Sequence, residues 1–400
     1  MIVMCKNVLP LYLAIVFLLS SCTDKLTKKE IRNHQNAKLT NEYVIREAEL
    51  YKNKISAYVD SLTLEQKISQ LFIENLEGCT SFRSYETVGT MNGTDDKTPL
   101  VAGGYIFFSF NIAETRSQMQ KFTESIKNYC SENGVIPPYL AVDQEGGWVT
   151  RLKKLNERLP SNEEVAGKFS VDQAYELYST QAEQMKYLGF HMNLAPVVEV
   201  CTEDNAEFLD GRSFGNYEQV LNYGRTCVNA YENNGIATVI KHFPGNTNTD
   251  PHTGLPEILL SAEELEESIE SFKEILKYNP VSILMSHART SAVDPGVPAC
   301  LSSVWITDIL RNRFGYKGII FSDDIFMGAL ADNGYPPERA AVMAIEAGID
   351  CIMLSEKRFG KSAKVLYEKA KKDKSFEDKI NQAAARIIEY KVAAGIIQVN

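Results

Sequence analysis

The chain has 400 residues, 44% of them hydrophobic and 24% charged, with a formal net charge of -10 at neutral pH. That content supports one large core or two modest ones and excludes wholesale disorder. The acidic balance, with no basic stripe to release counterions from phosphates, excludes a nucleic-acid partner.

Residues 1–22 have the layout of a bacterial export signal: Lys6 in a short start, an apolar run from Val8 to Leu19, then Ser20-Ser21-Cys22. The apolar run is short for a membrane span, and Asp24, Lys25, Lys28 and Lys29 follow it. Leu19-Ser20-Ser21-Cys22 is similar to a lipobox, which implies cleavage before Cys22 and a lipid on its thiol; an ordinary cleaved signal is the alternative. The expectation is an exported protein, lipid-anchored to a bacterial membrane and facing the periplasm or the cell surface. Residues 23–40 are polar and lack periodicity, as a flexible tether would. Residues 41–400 are expected to form one domain, with helix beginning near Glu42. Beyond Cys5 and Cys22, the cysteines at 79, 130, 201, 227, 300 and 351 are irregularly spaced without a CxxC pair, which indicates neither zinc nor a dense disulfide scaffold. Cys351 opens an apolar run and reads as a buried thiol.

Thr63-Leu64-Glu65-Gln66 has the form of a capping box and introduces the apolar element Ile68 to Ile73. Strands are predicted at Gln70 to Asn75, Gly104 to Phe108, Pro138 to Asp143, His191 to Pro196, Ala237 to His242, Ser282 to His287, Gly318 to Ser322 and Cys351 to Leu354. Amphipathic stretches separate them. Glycine follows a helical pattern at Gly189, Gly235 and Gly348, where a left-handed cap lets the chain reverse. A second capping box, Ser261 to Glu264, precedes Leu265, Ile269, Phe272 and Leu276 at helical spacing. Eight strands alternating with helices predict an α/β fold, a single (β/α)8 barrel, with an open doubly wound sheet as the alternative. Ser362 to Ile397 reads as helix, with Ile380, Ala383, Ala384, Ile387 and Ile388 on one face packed against the barrel.

In such a barrel the functional face is the carboxyl end of the strands. Asp143-Gln144-Glu145 follows strand three, Lys241-His242 and the Asp250-Pro251-His252 loop follow strand five, His287 ends strand six and Asp323-Asp324 ends strand seven. A rigid carboxylate facing a loop histidine suits double displacement, in which one group attacks and the other moves protons. Strand alternation lets only one of Asp323 and Asp324 face inward, and Asp323 is the expected nucleophile. Asp250 is placed to hold one nitrogen of His252, freeing the other for proton transfer near neutrality.

These segments carry a resemblance. Val142-Asp143-Gln144-Glu145-Gly146-Gly147, Asn193-Leu194-Ala195-Pro196-Val197, Gly211-Arg212-Ser213-Phe214-Gly215, Lys241-His242-Phe243-Pro244-Gly245, Asp250-Pro251-His252 and Phe321-Ser322-Asp323-Asp324 stand in the order found in glycoside hydrolase family 3. From about Leu62 to about Ile352 the chain resembles the single-domain bacterial β-N-acetylglucosaminidase (β-hexosaminidase) type of that family. The resemblance implies retaining hydrolysis of terminal β-linked N-acetylglucosamine, with a glycosyl-enzyme on Asp323 and an acid/base formed by His252 with Asp250. It also implies that Asp143, Arg151, Arg212, Lys241 and His242 hold the sugar ring.

Two departures stand out. The loop reads Pro244-Gly245-Asn246-Thr247 where the family has Pro-Gly-His-Gly, proline replaces the serine of its Asp-Ser-His triplet, and the loop is about two residues shorter. Trp148 stands where the family has arginine after Gly-Gly, which offers a stacking surface for sugar or peptide. The expected partner is an amino-sugar glycan or muropeptide handled by a monomer, without cofactor or metal. Other readings are a β-glucosidase, a phosphorylase, an inactive sugar-binding lipoprotein, or a metal barrel using His242, His287, Asp250 and His252.

Overall fold

The computed structural model describes residues 49–250 and 254–399. Contacts divide the described residues into two units, 49–60 with Val399, and those from 61 to 398. In the first unit residues 49–60 are helical. The export signal, Cys22, the tether and the predicted helix start at Glu42 lie outside the described residues, as does His252.

The second unit is a closed barrel of eight parallel strands. They are β1 (Phe72–Asn75), β2 (Gly104–Phe107), β3 (Tyr139–Val142), β4 (Met192–Asn193), β5 (Ala237–Phe243), β6 (Ser282–Met285), β7 (Ile319–Asp324) and β8 (Cys351–Met353). Each hydrogen-bonds to its neighbours in sequence, and β8 closes onto β1. All eight predicted strands are present. The first begins at Phe72, because the Thr63 capping box opens a helix, α1 (Leu64–Gln70), that uses the residues before it. The fourth keeps two residues, since Pro196 has no N–H to donate and pairing resumes at Val197 with Lys241. Strands β5 and β7 run past their predicted ends, to Phe243 and Asp324, so Asp323 and Asp324 are strand residues rather than loop residues.

Alternation sorts the strand residues into two clusters. Ile73, Ile106, Tyr139, Leu284 and Phe321 fill the barrel interior, while Phe72, Phe107, Ile240, Ile283 and Ile320 pack outward with the helices. Each large apolar side chain buried this way contributes about 1.5–3 kcal/mol. Phe243, outward at the end of β5, sits edge-on to Phe272 and Trp305 at ring centroid distances of 5.3 and 5.4 Å and so fixes the strand end that carries His242.

Gly189, Gly235 and Gly348 adopt φ of +90°, +82° and +108° as predicted, reversing the chain before β4, β5 and β8. The Ser261 capping box is formed, but the helix it opens breaks at Ile269 into α2 (Ala262–Ser268) and α3 (Glu270–Leu276). The carboxyl-terminal tail is likewise two helices, α4 (Gly360–Ala370) and α5 (Lys374–Ala393), with Asp373 capping the second by accepting the Phe376 N–H. The predicted apolar face of α5 is buried, and Ile387 and Tyr390 close the amino end of the barrel from below. The Tyr390 hydroxyl donates to the His191 carbonyl at 3.1 Å, and buried Lys391 donates to the Pro137 carbonyl at 2.7 Å and to Gln70 Oε1 at 2.5 Å. Each acceptor lies just before a strand, so α5 ties together the starts of β1, β3 and β4.

Candidate active site

At the carboxyl end of the barrel the side chains become charged. The register shifts there twice, in β6 between Ile283 and Met285 against β5, and in β7 between Phe321 and Asp324 against β8. Such irregularities re-aim side chains at the rim of a barrel.

Lys241 is the hub. Its Nζ lies 2.8 Å from Asp143 Oδ1 and 2.6 Å from Glu145 Oε1, with side chains of Lys241 and Glu145 only 5% and 1% exposed. Arg212 grips the same Glu145 in a fork, Nε to Oε2 at 2.8 Å and Nη2 to Oε1 at 3.0 Å. Burial pushes the Glu145 carboxyl up, but Arg212 and Lys241 outweigh it and hold the group well below the usual carboxylate range. For Lys241, burial pulls downward and the two carboxylates win, leaving the ammonium above its ordinary value.

Local folding explains why Glu145 reaches inward. Residues Gln144–Gly146 and Val149–Thr150 form an antiparallel hairpin directly after β3. Gln144 fastens it, its N–H donating to Asn193 Oδ1 at 3.0 Å and its Oε1 accepting the Leu152 N–H at 3.1 Å. Arg212 arrives from the turn in which Asp210 and Gly211 take φ of +39° and +76°. Its carbonyl accepts a 2.7 Å hydrogen bond from Asn162, and its guanidinium lies over the Phe208 ring.

His242 occupies a second buried cluster. Its Nδ1 is 2.7 Å from Glu199 Oε1, which also accepts the His242 backbone N–H at 3.1 Å, while Asn246 Nδ2 approaches both carboxylate oxygens at 3.3 and 3.4 Å. The other ring nitrogen, Nε2, faces Arg212 Nη2 at 3.4 Å. A guanidinium only donates, so Nε2 accepts and Nδ1 carries the proton that Glu199 holds.

Asp323 points inward, on the same side of β7 as Phe321, and Asp324 points away, as alternation predicts. The Asp324 Oδ1 caps the chain beyond the strand, accepting the Phe326 and Ser355 N–H groups at 3.0 Å each. Asp323 Oδ1 accepts the Asp324 N–H at 2.8 Å, and among the described residues no donor is bonded to Oδ2. Burial pushes the Asp323 carboxyl up, but His287, His242, the Asp324 N–H and Lys241 together hold it below the ordinary aspartate value. The result is an ionised carboxylate with one oxygen available. His287 is fully buried beside it, with Nε2 3.0 Å from the Asp324 carbonyl and Nδ1 3.2 Å from Cys300 Sγ. A carbonyl can only accept, so Nε2 carries a proton; burial pushes the Cys300 thiol well up, so its S–H donates to Nδ1.

Of the predicted site residues, Asp143, Arg212, Lys241 and His242 are joined by direct contacts, and Lys241 and His242 help to hold Asp323 below its ordinary value. Arg151 follows the hairpin, its N–H donating to the Asp143 carbonyl at 3.4 Å, and among the described residues its buried Nε has no partner. Asp250 is exposed at the edge of the described loop, where its carbonyl accepts the Gly254 N–H at 3.0 Å. Both nitrogens of His242 and of His287 are engaged by protein groups, and among the described residues no group of three or more His, Cys, Asp or Glu is placed to hold a metal ion. The cysteines at 79, 130, 201, 227, 300 and 351 are free thiols, with Cys351 buried as predicted. Two carboxylates of these buried clusters escaped the sequence-based assignment of site residues. Glu145 stands inside a motif read for its neighbour Asp143. Glu199 was marked only by being an acid between Val198 and Val200, just beyond a strand end.

The model of the glycosyl hydrolase family 3 N terminal domain matches residues 63–390. A β-hexosaminidase of Alkalilimnicola ehrlichii is 31% identical over 279 residues, covering 66% of this chain and 78% of its own length. β-Hexosaminidase A of Pseudoalteromonas piscicida is 28% identical over 323 residues, 72% of this chain, which spans only 53% of that longer protein. Among solved structures, a family 3 β-N-acetylglucosaminidase from Paenibacillus superposes with a TM-score of 0.74 at 27% identity, over 84% of this chain and 63% of that one. Barrel, charged strand ends and family match agree, and the chain belongs to glycoside hydrolase family 3.

Proposed function

We propose that this protein is a retaining exo-glycosidase that removes terminal β-linked N-acetylglucosamine from peptidoglycan fragments or other small glycans. The observation that carries the reading is Asp323: inward on β7, ionised, and with Oδ2 unbonded among the described residues. The names of the relatives support the sugar.

In the first step Asp323 Oδ2 attacks the anomeric carbon while the bond to the aglycone oxygen breaks, and His252, oriented by Asp250, gives that oxygen a proton. In the second step His252 takes a proton from water, whose oxygen displaces Asp323 and returns the original anomeric configuration. Asp143, Arg151, Arg212, Lys241 and His242 bind the ring, with Glu145 and Glu199 positioning the last three. Paired charges at 2.6–3.0 Å offer both donors and acceptors to adjacent hydroxyls and to the acetamido group. Cys22 carries a lipid that holds the protein on a bacterial membrane outside the cytoplasm.

The test is turnover of aryl β-N-acetylglucosaminide and aryl β-glucoside by the full-length chain, with and without phosphate, beside Asp323→Ala. Cleavage of the acetamido sugar, insensitive to phosphate and lost in Asp323→Ala, is expected. Preference for the glucoside, or a rate that requires phosphate, would replace the proposal with a β-glucosidase or a phosphorylase.

A further inference from the structure

Trp148 is 83% exposed, more than any other large hydrophobic side chain among the described residues. It stands at the tip of the hairpin that follows β3, three residues from Glu145, whose carboxylate lies in the charged cluster, and three from Arg151.

The hairpin is not loose. The Gly147 N–H donates to the Leu159 carbonyl at 3.0 Å, and Thr150 Oγ1 donates to the Gly147 carbonyl at 3.0 Å. Gly147 takes φ of +57°, and a Cβ on it would come within 2.8 Å of Ser161. At Gly146, with φ of +110°, a Cβ would meet the Pro160 carbonyl at 2.0 Å. The chain therefore uses two conformationally demanding glycines to press this turn against residues 159–161 and still leaves a full indole in solvent. Phe110, on the loop after the neighbouring strand β2, is 56% exposed but stacks on Phe108 with centroids 6.0 Å apart. Among the described residues no ring stacks on Trp148.

A solvent-facing indole on a hairpin that is tied down at its glycines and carries Glu145 into the charged cluster leaves apolar area uncovered that a ligand can cover. We infer that Trp148 is the platform of an aglycone subsite, on which the pyranose ring attached to the leaving oxygen stacks its C–H face. The inference rests on the glycosidase reading above and narrows it to substrates whose aglycone is itself a sugar. A pyranose ring fits this surface because its C–H face is flat and apolar and matches the exposed indole face. Indole is well suited to this, being large and stiff, with little rotamer entropy lost on contact.

The test compares, in the full-length chain, a β-1,4-linked N-acetylglucosamine disaccharide with β-N-acetylglucosaminyl fluoride, whose leaving group is too small to reach the platform. In Trp148→Ala the disaccharide-to-fluoride ratio of kcat/KM should fall about tenfold, equivalent to about 1.4 kcal/mol. Trp148→Phe should keep the ratio within about threefold of the native value. Fluorescence gives a second readout, because the only other tryptophan, Trp305, is 1% exposed. In Asp323→Asn, which blocks turnover, the disaccharide should protect Trp148 from acrylamide quenching and free N-acetylglucosamine should not. A ratio that Trp148→Ala does not move, or protection by the monosaccharide alone, overturns the subsite. Protection that grows with protein concentration in the absence of sugar overturns it too, assigning the ring to contact between copies. Failure to cleave even the fluoride would instead strike at the glycosidase reading itself.

Discussion

Replacing Glu145 by glutamine keeps the size of the side chain and removes the charge that two buried cations share. Lys241 retains Asp143 at 2.8 Å, whereas the Arg212 guanidinium loses both of its carboxylate contacts, at 2.8 and 3.0 Å. Leaving one partner of a buried pair uncompensated costs about 3–5 kcal/mol. Because Lys241 keeps one anion, the lower end, about 3 kcal/mol, is expected for Glu145→Gln. Urea unfolding at pH 7 measures it. The double variant Glu145→Gln/Arg212→Met removes the surplus charge as well, so it should be less destabilised than the sum of its parts by about 2 kcal/mol. A Glu145→Gln loss below about 1 kcal/mol, or strict additivity in the double variant, would refute the idea that this carboxylate holds the cluster together.

Burial pushes Glu232 up to about 7, although its Oε1 accepts the Thr238 hydroxyl and the Val281 N–H. Between the ordinary value of about 4.5 and 7 the folded chain holds a proton that the unfolded chain lacks, so stability falls as pH rises through that window. Since water reaches part of the side chain, Glu232→Gln should gain about 1–3 kcal/mol at pH 8 and nothing at pH 4; equal effects at both would contradict this. Burial pulls Lys391 down to about 7, the opposite case. Between pH 7 and the ordinary lysine value of about 10.5 the unfolded chain holds the extra proton, so stability rises with pH. The stability difference between wild type and Lys391→Met should change by about 1.4 kcal/mol per pH unit there, and a flat difference would show the lysine charged in place. Metabolic labelling with a fatty acid should mark the wild-type protein and not Cys22→Ala; label retained in the variant would remove the proposed anchor.

Much of this architecture was legible because barrel strands and helix ends use local signals. The threonine and serine capping boxes at Thr63 and Ser261, and the glycines at 189, 235 and 348, are decided within a turn of the chain, and the structure forms them all. Element lengths were less legible. Helix α1 runs into residues read as strand, and the helix after Ser261 breaks at Ile269 even though apolar spacing continues through it. In the site, strand alternation made it readable that only one of Asp323 and Asp324 faces inward. Glu145 and Glu199 were not, because their roles come from partners 96 and 43 residues away, Lys241 and His242 respectively. Lys391 was hidden in the same way: a lysine in the last turn of a helix reads as solvated, and only closure of the barrel by α5 buries it.

The central claim is that Asp323 forms a covalent bond to the sugar. Incubating the protein with a 5-fluoro-N-acetylglucosaminyl fluoride slows release of the glycosyl-enzyme, and mass spectrometry of the peptic digest locates the adduct. One fluorinated N-acetylglucosaminyl residue on Asp323 is predicted, with native turnover giving the β-anomer first. An adduct on another residue, or turnover of natural substrate that gives the α-anomer first, would contradict the account.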